Sequence, residues 1–478
     1  MDPRTADARS PRAPLGLALL LGLVPLACHA ASARDVDPLR GQRPNVVLVM
    51  ADDLGWGDTG YDGHPDLRTP ALDALAADGL VLDRFYAAAP VCSPTRGSVL
   101  TGRHPLRYGI PGANSGHLPA EEWTLAELLR REGYRTGHFG KWHLGTLTND
   151  VLDGRRGGRK PEHYAPPWEH GFDVCFSTEQ AVATWDPMDN QFLDVPTRYW
   201  TGPGEFATEN LSGDDSRVIL DRALPFIESA AADGAPFLAV IWLHAPHQPV
   251  IAGPDDRAAY GSFQPGQQHY YGVVSALDRE VGRLRATLES AGVADRTLLW
   301  FTSDNGPEGK PAGLGKPEVR YQGSAGPFRG RKRSLLEGGV RVPGIVSWPG
   351  RLAAGSRSSV PMSTSDVLPT VAELVGFTLP ADRPYDGLSL LPFWSQEQAT
   401  RDDPIGFESR KQQAWSAERY KLYSDDGGES YALYDLLTDP GESTDLAADQ
   451  PDRVQAMRAE LAAWRESLRR SAEGADYR

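Results

Sequence analysis

Two rhythms of apolar and polar positions divide the chain. "RPNVVLVMADD" (43–53) is a continuous β-branched run, which predicts a strand buried on both faces and ending in two aspartates. "TPALDALAADG" (69–79) then reads as a helix, with Thr69 as N-cap, Pro70 at the first helical position and Gly79 as stop. "LVLDRFYAA" (80–88) predicts a second strand and "SPTRGSVLTG" (93–102) a helix start. "WTLAELLRREG" (123–133) is an amphipathic helix, and "YRTGHFGKWHLG" (134–145) a strand running into a loop. Helices over 216–232 and 268–291 alternate with strands in "PFLAVIWLHAPH" (236–247), "TLLWFTSDNG" (297–306) and "GIVSWPG" (344–350).

This alternation predicts an α/β fold, a doubly wound, mostly parallel sheet flanked by helices, over residues 44–380. Three strands end in polar clusters: Asp52-Asp53, His244 with His247, and Asp304-Asn305. Ligands of open α/β sheets bind beyond the carboxyl ends of the strands, so the clusters are expected on one edge. Residues 150–215 and 306–333 show little periodicity and read as irregular walls of a substrate pocket. From about 386 the pattern changes. "WSAERYKLYS" and "ESYALYDLL" read as paired antiparallel strands, and "QPDRVQAMRAELAAWRESLRR" as a terminal helix. They predict a small C-terminal α+β subdomain over 386–470, after which the tail "SAEGADYR" is expected to fray.

Composition is that of an ordinary globular protein, with 40% hydrophobic and 24% charged residues among 478. The net charge of −15 argues against nucleic acid as a partner and leaves room for a local cationic pocket. Residues 1–33 have the arginine-bearing start, short apolar run and small-residue end of a signal peptide, so export to the periplasm or medium is expected; Cys28 offers lipoprotein anchoring as an alternative. No later stretch is long and apolar enough for a transmembrane segment. Cys92 and Cys175 are the other cysteines. Cys92 reads as a small buried hydrophobe, as half of a disulfide with Cys175, or as a reactive group.

Asp52, Asp53, Asp304 and Asn305 form a hard, all-oxygen donor set that suits Ca²⁺, with Mg²⁺ second. Lys141 and His143 lie two apart and point to one side of an extended chain, which suits a tetrahedral anion. "FRGRKRSLLEGGVRVP" carries Arg329, Arg331, Lys332, Arg333 and Arg341 and leans towards an anion site. An ordinary thiolate at Cys92 would want a histidine base and no hard metal, so the expected neighbours do not suit sulfur.

"CSPTRGSVLTG" resembles the Cys-x-Pro-x-Arg signature of the type I, formylglycine-dependent sulfatases, of the arylsulfatase and N-acetylgalactosamine-6-sulfatase kind. "NVVLVMADDLGWGD", "GKWHLG", "HAPH", "SDNG" and "LLEGGVRVP" follow in that family's order, over about residues 44 to 440. The resemblance implies an alkaline-phosphatase-like fold with a small C-terminal sheet. It implies that Cys92 is oxidised to formylglycine by a modifying enzyme. Asp52, Asp53, Asp304, Asn305 and the modified Cys92 would then hold Ca²⁺. One hydroxyl of the hydrated aldehyde would attack sulfur, helped by Asp304. His244 would protonate the leaving alcohol, and His143 would deprotonate the second hydroxyl to expel sulfate. Arg96 would hold the hydrate, and Lys141 and Lys332 would neutralise the sulfate oxygens.

The expected activity is therefore sulfuric ester hydrolysis on a sulfated carbohydrate, a glycosaminoglycan or algal polysaccharide fragment. The alternatives are a phosphonate or phosphodiester hydrolase of the same fold and a non-catalytic sulfated-glycan-binding homologue. Trp168, Trp185 and Trp200 are candidates for stacking on sugar, or else loop core. His104, Arg107, His117, Asp186 and His247 are further candidates for the substrate pocket.

Overall fold

The computed structural model describes residues 39–189, 195–309 and 321–477. The leader over 1–33 lies outside them, and among the described residues no helix is long and apolar enough to cross a membrane.

A ten-stranded sheet organises the chain. Its centre is parallel, with Thr297–Ser303, Asn45–Ala51, Phe237–Trp242, Arg135–Lys141 and Val174–Thr178 side by side. Asn45–Ala51 is central and wholly buried, which is why it is apolar at every position from Val46 to Ala51. Successive side chains take opposite faces. Val46, Leu48 and Met50 join the core beneath the helices Cys92–Thr101, Leu125–Arg131 and Val367–Val375. Val47, Val49 and Ala51 join the core under Pro70–Asp78, Asp215–Ala232 and Pro265–Ser290.

The edges depart from the expected pattern. Gly344–Ser347 runs antiparallel to Thr297–Ser303, and Trp200–Gly202 and Glu205–Phe206 add an antiparallel margin within the stretch expected to be irregular. "LVLDRFYAA" is two strands in two sheets. Leu80–Leu82 pairs with Gly344–Ser347, whereas Phe85–Tyr86 pairs with Arg341–Val342 and Met362–Ser363. The break falls at Asp83 and Arg84, where Asp83 accepts from Arg357 and Arg341 reaches the Asp83 carbonyl.

The C-terminal sheet is antiparallel, in the order Ile405–Ser409, Gln412–Ser416, Tyr420–Ser424, Ala432–Asp435. "WSAERYKLYS" is thus a hairpin, with Trp415 paired to Leu422 across a turn at Ala417–Arg419 rather than one strand. Trp415, Leu422 and Leu433 pack on Met457 and Leu461 of the helix Pro451–Ala472. Ile405, Phe407 and Ala414 pack on Tyr86, Leu335 and Val340 of the main body. Lys421 joins the two parts inside the core, 2.9 Å from Glu337 and 2.9 Å from Glu442. The tail does not fray as expected. Asp476 takes the guanidinium of the buried Arg103, and the Tyr477 hydroxyl donates to Glu122.

Candidate active site

Four of the five parallel strands, Asn45–Ala51, Arg135–Lys141, Phe237–Trp242 and Thr297–Ser303, deliver functional side chains to one edge. Adjacent residues of a strand face opposite ways, but the chain leaves the sheet after Ala51. Asp53 adopts φ 66°, turning its carboxylate back beside that of Asp52. Its amide donates to Asp304 Oδ1 at 3.2 Å, which ties the ends of two neighbouring strands together. Ligand atoms of Asp52, Asp53, Cys92 and Asp304 lie within 4.8 Å of one another, all buried. Asn305 donates from Nδ2 to Asp53 Oδ1 at 2.7 Å. Among the described residues, two buried oxygens, Asp53 Oδ2 and Asn305 Oδ1, have no hydrogen-bond partner.

Cys92 opens the helix Cys92–Thr101, every residue of which is buried. Its Sγ is 3.5 Å from Asp52 Oδ1. Among the described residues neither cysteine forms a disulfide; Cys175 is buried in Val174–Thr178. Arg96, four residues on, shares the Cys92 face of the helix. It donates to Asp304 Oδ2 at 3.1 and 2.6 Å and to the Lys141 carbonyl at 3.0 Å. Lys141 Nζ lies 2.5 Å from Asp52 Oδ2, and Lys332 Nζ 2.5 Å from Asp53 Oδ1. Three carboxylates thus face three cations.

The local charges are set by burial. Burial pushes Asp52 up, but Lys141, His247, Arg96 and Lys332 together hold it well below the usual carboxylate range. Burial, reinforced by the Asp52 charge and opposed by Arg96, pushes Asp304 up to about 7. Burial, and then the charges of Asp304 and Asp52, push the Cys92 thiol up to about 12. A cation seated among these groups would favour every deprotonated form.

The lysine loop is held by close backbone contacts. A Cβ at Gly338 would meet the Gly330 carbonyl at 2.4 Å, and one at Gly306 the Gly338 carbonyl at 2.1 Å. "EGG" therefore lets the loop bearing Lys332 press against the end of the Asp304-Asn305 strand. Within the basic run, Lys332 and Arg333 line the cavity. Arg329 and Arg331 bond backbone carbonyls, and Arg341 lies over the Phe328 ring.

A cavity of about 430 Å³ opens over Cys92 and is lined by His143, His247, Lys332 and Asn114 among others. His143 has φ 59°, and its Nε2 lies 2.6 Å from Asn114 Oδ1 while Nδ1 has no partner. Burial, and then Lys141, hold its pKa well below the ordinary imidazole value.

The two histidines of "HAPH" exchange their expected places. His244 is fully buried, with Nε2 2.7 Å from Thr178 Oγ1 and Nδ1 2.8 Å from Asp215 Oδ2. Both ring nitrogens are committed, so it does not reach the cavity. His247 lines it, with Nδ1 on the Gln248 carbonyl at 2.5 Å and Nε2 3.8 Å from Asp53 Oδ2.

Four other candidates sit away from the cavity lining. His104 packs against the Trp464 ring, and Arg107 grips Asp386 at 2.6 and 2.7 Å, both serving the contact with the terminal helix. His117 stacks on His163. Asp186 closes a loop by accepting from the Gly213 amide at 2.6 Å. The tryptophans serve packing too, Trp200 from a strand. Trp200 is buried, Trp168 packs on the main core, and Trp185 lies against Gly253. Sequence reasoning missed Asn114, Arg155, Ser409 and Arg410 on the cavity wall. "PGANSG" held the one usable signal, a glycine-rich turn; the others sit in segments with no motif.

The fold and this edge define an alkaline-phosphatase-like hydrolase with a cationic cavity suited to an anionic ester. The chain belongs to the sulfatase family, whose model, described as Sulfatase, matches residues 44–377, and it is a sulfuric ester hydrolase. It is 36% identical to N-acetylgalactosamine-6-sulfatase of Sus scrofa over 402 residues, covering 80% of this chain and 72% of that one. Steryl-sulfatase of Rattus norvegicus is 34% identical over 444 residues, covering 79% and 74%. Among solved structures, Ps i-CgsB in complex with k-i-k-neocarrahexaose aligns with a TM-score of 0.75 at 27% identity, covering 89% of this chain and 93% of that one.

Proposed function

We propose that this sulfatase releases sulfate from a sulfated carbohydrate, a glycosaminoglycan or algal polysaccharide fragment. In this reading Cys92 is converted to formylglycine, and Asp52, Asp53, Asp304 and Asn305 hold Ca²⁺ or Mg²⁺. The observation that carries it is the mismatch at Cys92. A thiol pushed up to about 12 sits among three buried carboxylates. A soft thiol matches neither these hard oxygens nor the hard cation they suit. The unpartnered Asp53 Oδ2 and Asn305 Oδ1, beside two further carboxylates, fit a hard cation rather than a soft one. Loaded with the cation and the aldehyde, the site would supply a metal-polarised hydroxyl as nucleophile.

The chain's own residues account for the remaining work. Lys332 and Lys141 exchange part of their carboxylate pairing for sulfate oxygens. Arg96 keeps the first turn of its helix locked to Asp304 and the Lys141 carbonyl. His143, held neutral by burial, is placed to accept a proton at Nδ1. His247, not His244, gives a proton from Nε2 to the leaving alcohol. Burial, opposed by the Asp52 charge and aided by Lys332 and Lys141, holds its pKa well below the ordinary imidazole value, and the negative charge of the bound ester shifts it back towards the protonated form. The saccharide is supported by the names of the relatives and by the neocarrahexaose held in a structural neighbour. A formylglycine-generating enzyme as partner and export directed by residues 1–33 belong to the same proposal.

Mass spectrometry of the 87–104 peptide from the producing cell, with sulfate release from defined sulfated saccharides, tests it. The peptide is expected to be lighter than its cysteine form. An intact thiol in protein that still releases sulfate would sink the formylglycine assignment. Phosphate release from diesters, with no sulfate release, would overturn the substrate.

A further inference from the structure

The cavity over Cys92 carries more positive charge than one ester needs. Its lining holds Arg155, Lys332, Arg333 and Arg410 and, among the described residues, no aspartate or glutamate. Lys332 is committed to Asp53, and Arg333 to both carboxylate oxygens of Glu308. Arg155 and Arg410 are exposed, and no ion pair or hydrogen bond engages either guanidinium among the described residues. Among the described residues, Arg155 and Arg410 are thus the two lining cations whose charge is not already answered by an acid.

The backbone supplies a second observation. Arg410 occupies, with Lys411, the two-residue turn between Ile405–Ser409 and Gln412–Ser416, and its φ is 56°. Glycine or asparagine ordinarily takes that conformation in such a turn. Asn114, His143 and Arg333, at φ 63°, 59° and 78°, share both the left-handed backbone and the same cavity. Non-glycine residues held this way concentrate at ligand sites, where side-chain placement offsets the strain.

We propose that Arg410 and Arg155 form a second anion-recognising position at the cavity mouth. It takes a carboxylate or a further sulfate on the same saccharide, beside the ester that is cleaved. The proposal rests on the carbohydrate reading above. A guanidinium matches either oxyanion with paired N–H donors. The position acts on a group that does not react, so it strengthens binding of the whole saccharide. It also gives the C-terminal sheet a share in recognition, through the tip of its first hairpin.

The test uses the full chain carrying Cys92→Ala, so that no saccharide is turned over during calorimetric titration. Three saccharides share one sulfate ester and differ in the neighbouring group: neutral, uronate, or a second sulfate. A dianionic saccharide is expected to bind about tenfold or more tightly than the neutral-neighbour one. The uronate and disulfate arms tell the two anion sources apart. Arg410→Ala and Arg155→Ala should each erode that preference, and Arg410→Lys should restore it only in part. Arg410→Gly should raise the melting temperature and still lose the preference, which separates recognition from folding. Equal affinity for all three saccharides, no binding of any, or a preference untouched by both arginine substitutions would overturn the proposal. Sulfate release by the unsubstituted chain from the neutral-neighbour saccharide reports on the hydrolase reading separately. Its absence, with the dianion preference intact, counts against that reading and leaves the second position standing.

Discussion

At the scale of single residues, chemistry here is decided by which atoms are left uncommitted. His244 and His247 are three apart in one short motif, yet one ring is saturated by Thr178 and Asp215 and the other keeps Nε2 towards the cavity. His247→Gln is expected to lower kcat by about 10²–10⁴ with little change in melting temperature. His244→Gln is expected to act through the fold. It leaves the buried Asp215 short of a partner and costs about 2 kcal/mol. Steady-state kinetics and denaturant unfolding of both variants separate the two roles, and equal kinetic losses without destabilisation would contradict them. Arg96 entered the candidate site only through the family resemblance, and its bonds to Asp304 and the Lys141 carbonyl have no local sequence signal. The left-handed backbone of Asp53 and His143, which aims the neighbouring side chains, has no sequence signal of its own.

At the scale of elements, four of the five central parallel strands were legible, three of them from continuous apolar runs. Val174–Thr178 was not, because it lies in the stretch over 150–215 expected to be irregular. The hairpin hidden in "WSAERYKLYS" was not legible either. Its turn lacks glycine and proline, and tertiary pairing of Trp415 with Leu422 decides it. Arg107 and Asp386 show what a motif-free ion pair does. Asp386 receives Arg107, the His104 amide and the Trp464 indole, and so pins the turn after the Cys92 helix to the terminal helix. Burial pushes Asp386 up, but the Arg107 hydrogen bond and charge bring it below the usual aspartate value. A depressed folded pKa contributes stability that is complete above the unfolded value, near about pH 4, and is lost as pH falls through the folded value. Asp386→Asn is expected to cost about 3 kcal/mol at pH 7. Urea unfolding at pH 7 and at pH 3 should show the gap to the unsubstituted chain narrowing in acid; a constant gap would mean the pair is not ionic.

At the scale of the whole molecule, an acidic chain concentrates cations on one sheet edge. Arg96, Lys141 and Lys332 balance Asp52, Asp53 and Asp304 there, so a divalent ion would leave a positive excess facing the cavity. Ca²⁺ titrated into chelator-treated protein is expected to raise the melting temperature, with a stabilisation that grows with the logarithm of its concentration above Kd and is worth about 2.7 kcal/mol at a hundredfold excess. Asn305→Ala should shift that curve to higher Ca²⁺. A melting temperature indifferent to Ca²⁺ and Mg²⁺ would argue against the proposed donor set. The sequence by itself determined the alternating fold, the edge on which the polar clusters fall, and the family motifs, because these depend on local periodicity and short spacing. Only the tertiary structure decided which histidine lines the cavity, that Asp476 and Tyr477 are anchored, and that Arg155 and Arg410 meet at one cavity. Those outcomes depend on contacts between segments tens to hundreds of residues apart, where burial and hydrogen-bond competition choose among side chains that look equivalent along the chain.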